Sequence, residues 1–247
     1  MDAVKTAASL RSQLNQMAAA SQVLEHNTHD EKSRTYLAVI NQSICRMLRI
    51  VGRMELGHRL SAEDYAISPR HLDLSGLLED LSARLQGVLA DIGISFRLTC
   101  PAHLSAVADS SLLRQMLLEL ISNLALAGTE ISLTVTAKDD RICFQLQDNG
   151  PAAAEGRTRF PAGLEEDEEH SSLELARRIA ELHGGTLMIS AAEDSSLSVA
   201  VALPCKKDPT LLLESASRTW HSGGFDSVLV ALSQLLPARS FLPENLG

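Results

Sequence analysis

Aromatic side chains are scarce in this sequence, at 3% of 247 residues, with one Trp, two Tyr and five Phe. Basic residues are outnumbered as well, 22 against 31 acidic ones, which leaves a net charge of -9. So few rings and so little positive charge make a poor footprint for nucleic acid or anionic lipid, and a protein or small-molecule partner is expected instead. No apolar run approaches the roughly 18 to 20 residues of a membrane span. The opening "MDAVKTAASLRSQLNQ" lacks the basic-then-apolar pattern of a signal peptide. No membrane insertion and a cytoplasmic location are therefore expected. The four cysteines, Cys45, Cys100, Cys143 and Cys205, show no C-x-x-C spacing, so they read as reduced thiols rather than zinc ligands or a disulfide framework. What is plentiful is aliphatic: hydrophobic residues make up 45% of the chain, enough for a good core and two units.

The first unit reads as two helices over residues 1–56. Apolar positions Ala3, Ala7, Leu10, Leu14, Met17 and Leu24, with a break at Ser21, follow the alternating four-and-three spacing of a helix seam. Leu37, Ile40, Ile44, Met47, Val51 and Met54 repeat it after the polar link "EHNTHDEK", where Thr28 and Glu31 have capping-box spacing. Helices joined by so short a link lie antiparallel. A two-helix hairpin alone buries too little to be stable, so either a second copy completes a four-helix bundle, making a homodimer, or both seams pack on the chain's own C-terminal domain.

Residues 57–72, "GHRLSAEDYAISPRHL", read as a linker with Gly57 and Pro69 and no sustained period. Residues 73–204 then mix helices with alternating strands. "LSGLLEDLSARLQGVLADIG" is an amphipathic helix closed by Gly93, and "ISFRLTC" is a half-buried strand. A helix follows over residues 112–127. Ile131, Leu133, Val135 and then Ile142, Phe144, Leu146 mark two strands; the helix "LELARRIAELHGG" and two strands around Leu187 and Leu197 to Leu203 close the series. The fold class expected is α+β, a mixed and largely antiparallel sheet with helices on one face.

These motifs carry a resemblance. The run from Met1 to Pro204 resembles the catalytic core of a sensor histidine kinase, a dimerisation hairpin followed by a GHKL-class ATP-binding domain. "LRQMLLELISNLALAG" is similar to the N-box helix, "LQDNG" to the first glycine box, and "LARRIAELHGGTLMIS" with "SLSVAVALP" to the end of the second box and the closing strands. The resemblance implies ATP and Mg²⁺ as cofactors. It assigns Asn123 as the oxygen donor toward Mg²⁺ through the nucleotide, Asp148 as the acceptor of the adenine amino group, and Gly150 as the close approach to the base. Glu119, one turn before Asn123 on the same helix face, matches the catalytic Glu of other GHKL ATPases. The alternative for Glu119 and Asn123 is a polar stripe on a partly exposed helix.

The departures are equally specific. Leu126 stands where a Lys or Arg often follows the N-box, Ala152 replaces the second glycine of the first box, and "HSSLE" from His170 replaces the second box. Ser171 and Glu174 have capping-box spacing, so the helix would satisfy its own N–H groups. The lid segment holds five consecutive acids, 165–169. Each would oppose a phosphate charge about 10 Å away by roughly 0.4 kcal/mol before screening. In the dimerisation helix "LRSQL" at Leu10 to Leu14 aligns with the family's H-E-L-R-T-P-L, which places Ala8 at the phosphoacceptor and Ser9 at the acid. No His precedes His26; His26 and His29 read as loop residues beyond the helix end. An alanine has no nitrogen to attack a phosphate.

Residues 205–247 lie beyond the resemblance. They hold an apolar helix from Phe225 to Leu236, which either docks on the chain's own domain or serves as a partner-binding or autoinhibitory helix. The expected function is a histidine-kinase-like two-component signalling protein, a pseudokinase acting through dimerisation and contacts with a response regulator or another kinase. The alternative is an active GHKL ATPase or kinase that phosphorylates a partner in trans.

Overall fold

The structure is a computed structural model that describes residues 2–26, 30–125, 129–138, 140–149, 172–191, 197–205, 221–222, 224–242 and 245. The chain divides into two compact units, one of residues 1–62 with 219–247 and one of residues 63–218.

The first unit is built on helices α1 (Asp2–His26) and α2 (Glu31–Ser61), which pack along each other. The hydrophobic seam expected on each helix divides into two rows. Ala7, Leu14 and Ser21 on α1, and Leu37, Ile44 and Val51 on α2, are buried. Leu10, Met17 and Leu24, and Ile40, Met47 and Met54, are 39 to 54% exposed. Each row recurs every seven residues, so a single hairpin consumes half of the pattern and leaves a matching half open. The remaining side of α2 is covered by the C-terminal segment: strands β8 (His221–Ser222) and β9 (Phe225–Asp226), helix α6 (Ser227–Leu232) and a 3₁₀ turn, Ala238–Phe241. Phe225, Val228, Leu232 and Phe241 are completely enclosed.

Several expectations are corrected here. The second helix is capped by Asp30, whose carboxylate accepts from the backbone N–H groups of Lys32 and Ser33, and Glu31 falls in the first turn; Thr28 lies outside the described residues. An aspartate is among the strongest caps and sits beside the helix start, so it defines the boundary. Residues 57–61 are helix rather than linker: α2 continues to Ser61, with Gly57 and Leu60 buried. Gly lowers helix propensity by about 1 kcal/mol, and packing on both of these residues overrides it. His26 is the last residue of α1 rather than a loop residue. The apolar helix expected from Phe225 to Leu236 is regular only over Ser227–Leu232.

The second unit is the α+β sandwich. A five-stranded sheet has the order β2-β4-β5-β7-β6, formed by β2 (Ser95–Thr99), β4 (Glu130–Lys138), β5 (Arg141–Asp148), β6 (Thr186–Ala191) and β7 (Leu197–Pro204). The pair β2 and β4 is parallel and the other pairs are antiparallel. Inward positions alternate along the strands as Ile131, Leu133, Val135 and as Ile142, Phe144, Leu146. Two strands missed in the sequence, β1 (Arg70–Asp73), which begins inside the stretch read as linker, and β3 (Ser105–Ala108), pair with each other in a small separate sheet. An aspartate at the end of each caps the following helix: Asp73, the last residue of β1, for α3 (Leu74–Ala90), and Asp109, the residue after β3, for α4 (Ser110–Leu124).

Candidate nucleotide site

Helix α4 is apolar around most of its circumference; of its two charged residues Arg114 is half-buried, and Glu119 is enclosed, 2% exposed. Its Oε1 accepts from the Gln115 amide one turn earlier, at 2.9 Å. The Asn123 amide nitrogen and the Ser122 hydroxyl both donate to the Glu119 carbonyl oxygen at 2.9 Å. That bond turns the donor end of the Asn123 amide toward the helix and its oxygen away from it. Asn123 itself is half-buried.

Asp148 closes the inward row of β5. It follows Ile142, Phe144 and Leu146 at the strand's period of two, so a carboxylate occupies a position the pleat reserves for the core, at 5% exposure. Asn149 locks the strand end: its Oδ1 accepts from the N–H groups of Thr129 and Glu130 at 3.0 and 2.9 Å, and its Nδ2 donates to the Thr129 hydroxyl. Helix α4 packs against β5, which puts the elements carrying Glu119, Asn123 and Asp148 side by side. Among the described residues of this unit, Glu119 and Asp148 are the buried charged side chains. Carboxylates are rarely enclosed without a specific reason, so this coincidence marks the site. Gly150, Ala152, the acids at 165–169, His170 and Ser171 lie outside the described residues.

Helix α5 (Ser172–Leu182) ends in a motif that the sequence offered only as an alignment anchor. Gly184, at φ +75°, donates to the Glu181 carbonyl, and the Gly185 N–H reaches back to Ala180, both at 2.8 Å; this is a Schellman closure. A Cβ on Gly185 would lie 2.3 Å from the Ala202 carbonyl oxygen on β7, so no other residue fits. His183 accepts the Asp109 N–H at Nε2, 3.1 Å, while its Nδ1 donates to the Ile179 carbonyl at 2.8 Å. An accepting Nε2 places the ring proton on Nδ1. His183 thereby ties the end of α5 to the start of the helix that carries Glu119 and Asn123. Asp109 also collects N–H groups from Ser68, Ser111 and Leu112. Burial pushes its carboxyl up, and hydrogen bonds, led by the Ser111 hydroxyl, outweigh that and hold it below the ordinary aspartate value. Gln115, Asn149, Asp109 and His183 were not singled out from sequence as functional; Asp109 and Asn149 had a readable signal, as a capping residue before an apolar helix and as a side chain at a strand end.

Among the described residues no cluster of three or more His, Cys, Asp or Glu side chains could hold a metal directly. No described helix is long and apolar enough to cross a membrane.

Residues 108–207 match the family of histidine kinase-, DNA gyrase B- and HSP90-like ATPases. The adaptive-response sensory kinase SasA of Prochlorococcus marinus (strain MIT 9313) is 29% identical over 152 residues, covering 56% of this chain and 41% of SasA. SasA of strain MIT 9303 is 28% identical over the same shares. The chain thus spans less than half the length of the curated relatives it matches. Among solved structures, full-length ShkA in complex with AMPPNP aligns with a TM-score of 0.64 at 22% identity, over 83% of this chain and 46% of ShkA. The histidine kinase AdeS of Acinetobacter baumannii aligns at 0.54 and 13% identity, over 80% of this chain and 96% of AdeS. At these identities the solved structures establish the fold. Residues 108–207 therefore resemble the histidine kinase-, DNA gyrase B- and HSP90-like ATPases in sequence, and the chain shares its fold with solved histidine kinases.

Proposed function

We propose that this chain is a histidine-kinase-like two-component signalling protein without autophosphorylation, which acts as a homodimer through contacts with a response regulator or another kinase. The observation that carries the reading is Ala8. The resemblance aligns it with the phosphoacceptor, and it lies exposed on an unbroken α1, where a methyl group has nothing to offer a γ-phosphate. Pairing through the hairpin is supported by the open rows at Leu10, Met17, Leu24 and at Ile40, Met47, Met54, which repeat the spacing of the rows already packed inside it. The decisive experiment is incubation with labelled ATP and Mg²⁺: no acid-labile phosphate should form, and phosphohistidine anywhere in residues 1–56 would overturn the reading.

The nucleotide site is retained in its base-reading half. Asp148 would accept the adenine amino group, and Asn123 would turn its oxygen toward a phosphate-bound Mg²⁺, a hard cation that takes such donors. The sequence changes at Leu126, Ala152 and 165–169 all fall on the phosphate side, so weak binding that depends on the base is expected.

A second reading is favoured by one observation. Glu119 is buried, held by Gln115, and stands one turn from Asn123, the placement of a general base in an active ATPase. Under that reading the chain hydrolyses ATP or phosphorylates a partner in trans. Titration with ATP in the presence and absence of Mg²⁺ separates the two: tight Mg²⁺-dependent binding with turnover that Glu119→Gln abolishes would put the enzyme first.

A further inference from the structure

The two sides of α2 are treated differently by the chain. At 3.6 residues per turn, Ile40, Met47 and Met54 lie roughly opposite Asn41, Gln42, Cys45 and Arg46. The first set is open. On the second side lies the C-terminal segment, with Asn41 and Cys45 enclosed, Gln42 half-buried and Arg46 reaching in from an exposed position, and the segment is held by specific polar contacts: Asn41 Nδ2 donates to the Phe241 carbonyl at 3.3 Å, Gln42 Nε2 to that of Leu236 at 2.7 Å, and Arg46 Nε to that of Ser233 at 3.1 Å. These acceptors lie past the end of α6, where the chain leaves the regular helix and its carbonyls take partners from outside it. Asn41 is completely buried and also accepts the Ser21 hydroxyl of α1 at 2.6 Å, so its amide belongs at once to the hairpin and to the seat of the segment. A buried amide between two helices is costly unless both of its ends are occupied, and the segment occupies one of them.

We propose that the outer side of α2 is a docking groove dedicated to this chain's own C-terminal segment, and that its occupation confines self-association to the opposite stripe, so that assembly stops at two chains. A hairpin with adhesive surfaces on both sides would have no geometric reason to stop at a pair, because each added copy would present a further open face. Covering one side removes that route. The limit of two rests on the paired-hairpin reading above; the groove does not.

The test uses the full chain with Cys100, Cys143 and Cys205 replaced by serine, which leaves Cys45, completely buried on the covered side, as the one thiol. Gln42→Ala combined with Arg46→Ala removes two of the carbonyl contacts and leaves the apolar packing intact. It should raise the rate of Cys45 labelling by an aromatic disulfide reagent roughly ten- to thirty-fold. Phe241→Glu should free Cys45 completely and raise the light-scattering mass above two chains, and a synthetic peptide of residues 219–247 in excess should reverse both effects. Labelling unchanged in both variants overturns the groove. Cys45 freed while the mass stays at two chains overturns the assembly limit. An unaltered chain that weighs as one copy sinks the pairing reading and, with it, the limit, while the labelling rates still decide the groove. Should Phe241→Glu unfold the hairpin, the double alanine variant carries the decision.

Discussion

Met47→Glu separates a paired hairpin from a solitary one. In a single chain Met47 is 39% exposed, so a glutamate there remains solvated and should change stability by no more than about 0.5 kcal/mol. In a two-fold bundle the same change occurs twice. Completing the burial of a half-exposed Leu, Ile or Met is worth about 1 kcal/mol, so two lost methionines forfeit about 2 kcal/mol. Enclosing two carboxylates without partners adds several more for each charge. A total of about 5 kcal/mol or more corresponds to a rise in Kd of at least roughly a thousandfold. Analytical ultracentrifugation across a micromolar range reads the dissociation directly, and circular dichroism at the same concentrations shows whether α1 and α2 persist. Leu14→Glu and Ile44→Glu are the contrast, because both side chains are inside one hairpin and should unfold it whatever the assembly. A Met47→Glu chain that pairs as tightly as the unaltered one would refute the use of this row as the interface; an unaltered chain that is monomeric at tens of micromolar would refute pairing.

Gly185→Ala should destabilise the α+β unit by about 1–3 kcal/mol in urea denaturation, since the new Cβ meets a strand carbonyl at 2.3 Å; an unchanged midpoint would mean that β7 yields freely. Asp109→Ala should cost about 1 kcal/mol through the lost cap of α4. The lowered pKa of Asp109 means that its contribution is complete above the ordinary aspartate range and lost as pH falls through the lower folded value, so acid unfolding below about pH 4 should weaken in Asp109→Asn. Cys45, whose thiol burial pushes up to about 12, should resist labelling at pH 8 in the native chain, and prompt labelling would contradict its enclosure. Asp148→Asn should abolish whatever adenosine, ADP or ATP binding isothermal titration detects, with the three ligands similar in affinity; ATP binding that survives the change would remove Asp148 from the site.

Periodicity made most of the second unit legible. Strands β4 and β5 alternate cleanly because one face of the sheet meets helices and the other does not, and that asymmetry is written into every second residue. Strand β3 was missed because four residues, "SAVA", hold too short and too small a pattern to separate from loop. The hairpin was legible as two seams, but the division of each seam into a packed row and an open row was not: sequence spacing is identical for both, and which row the hairpin uses depends on the roll of one helix against the other. That the segment from Phe225 docks on its own chain was one of the two readings the sequence offered, but its seat on α2 was illegible for a different reason. Its contacts with Asn41, Gln42 and Arg46 join residues almost 200 positions apart, and no local signal records a pairing at that separation.

The residues that carry the family resemblance do not all speak for nucleotide. His183, Gly184 and Gly185 are fully accounted for by structure: one bonds the start of α4, one takes a left-handed turn, and one lets β7 approach. The fold needs that sequence whether or not ATP is ever bound, so its presence adds nothing to the case for a ligand. Glu119 and Asp148 are different in kind. An apolar side chain would satisfy the core at either position, and enclosing a carboxylate costs stability relative to such a replacement even when hydrogen bonds partner it. Glu119→Leu and Asp148→Leu should then stabilise the domain or leave it unchanged while removing its ligand chemistry, the mark of residues held for function. If either change instead destabilises the domain by several kcal/mol, that carboxylate is a packing element: at Asp148 the base-reading half of the site then loses its physical support, and at Glu119 the general-base reading does.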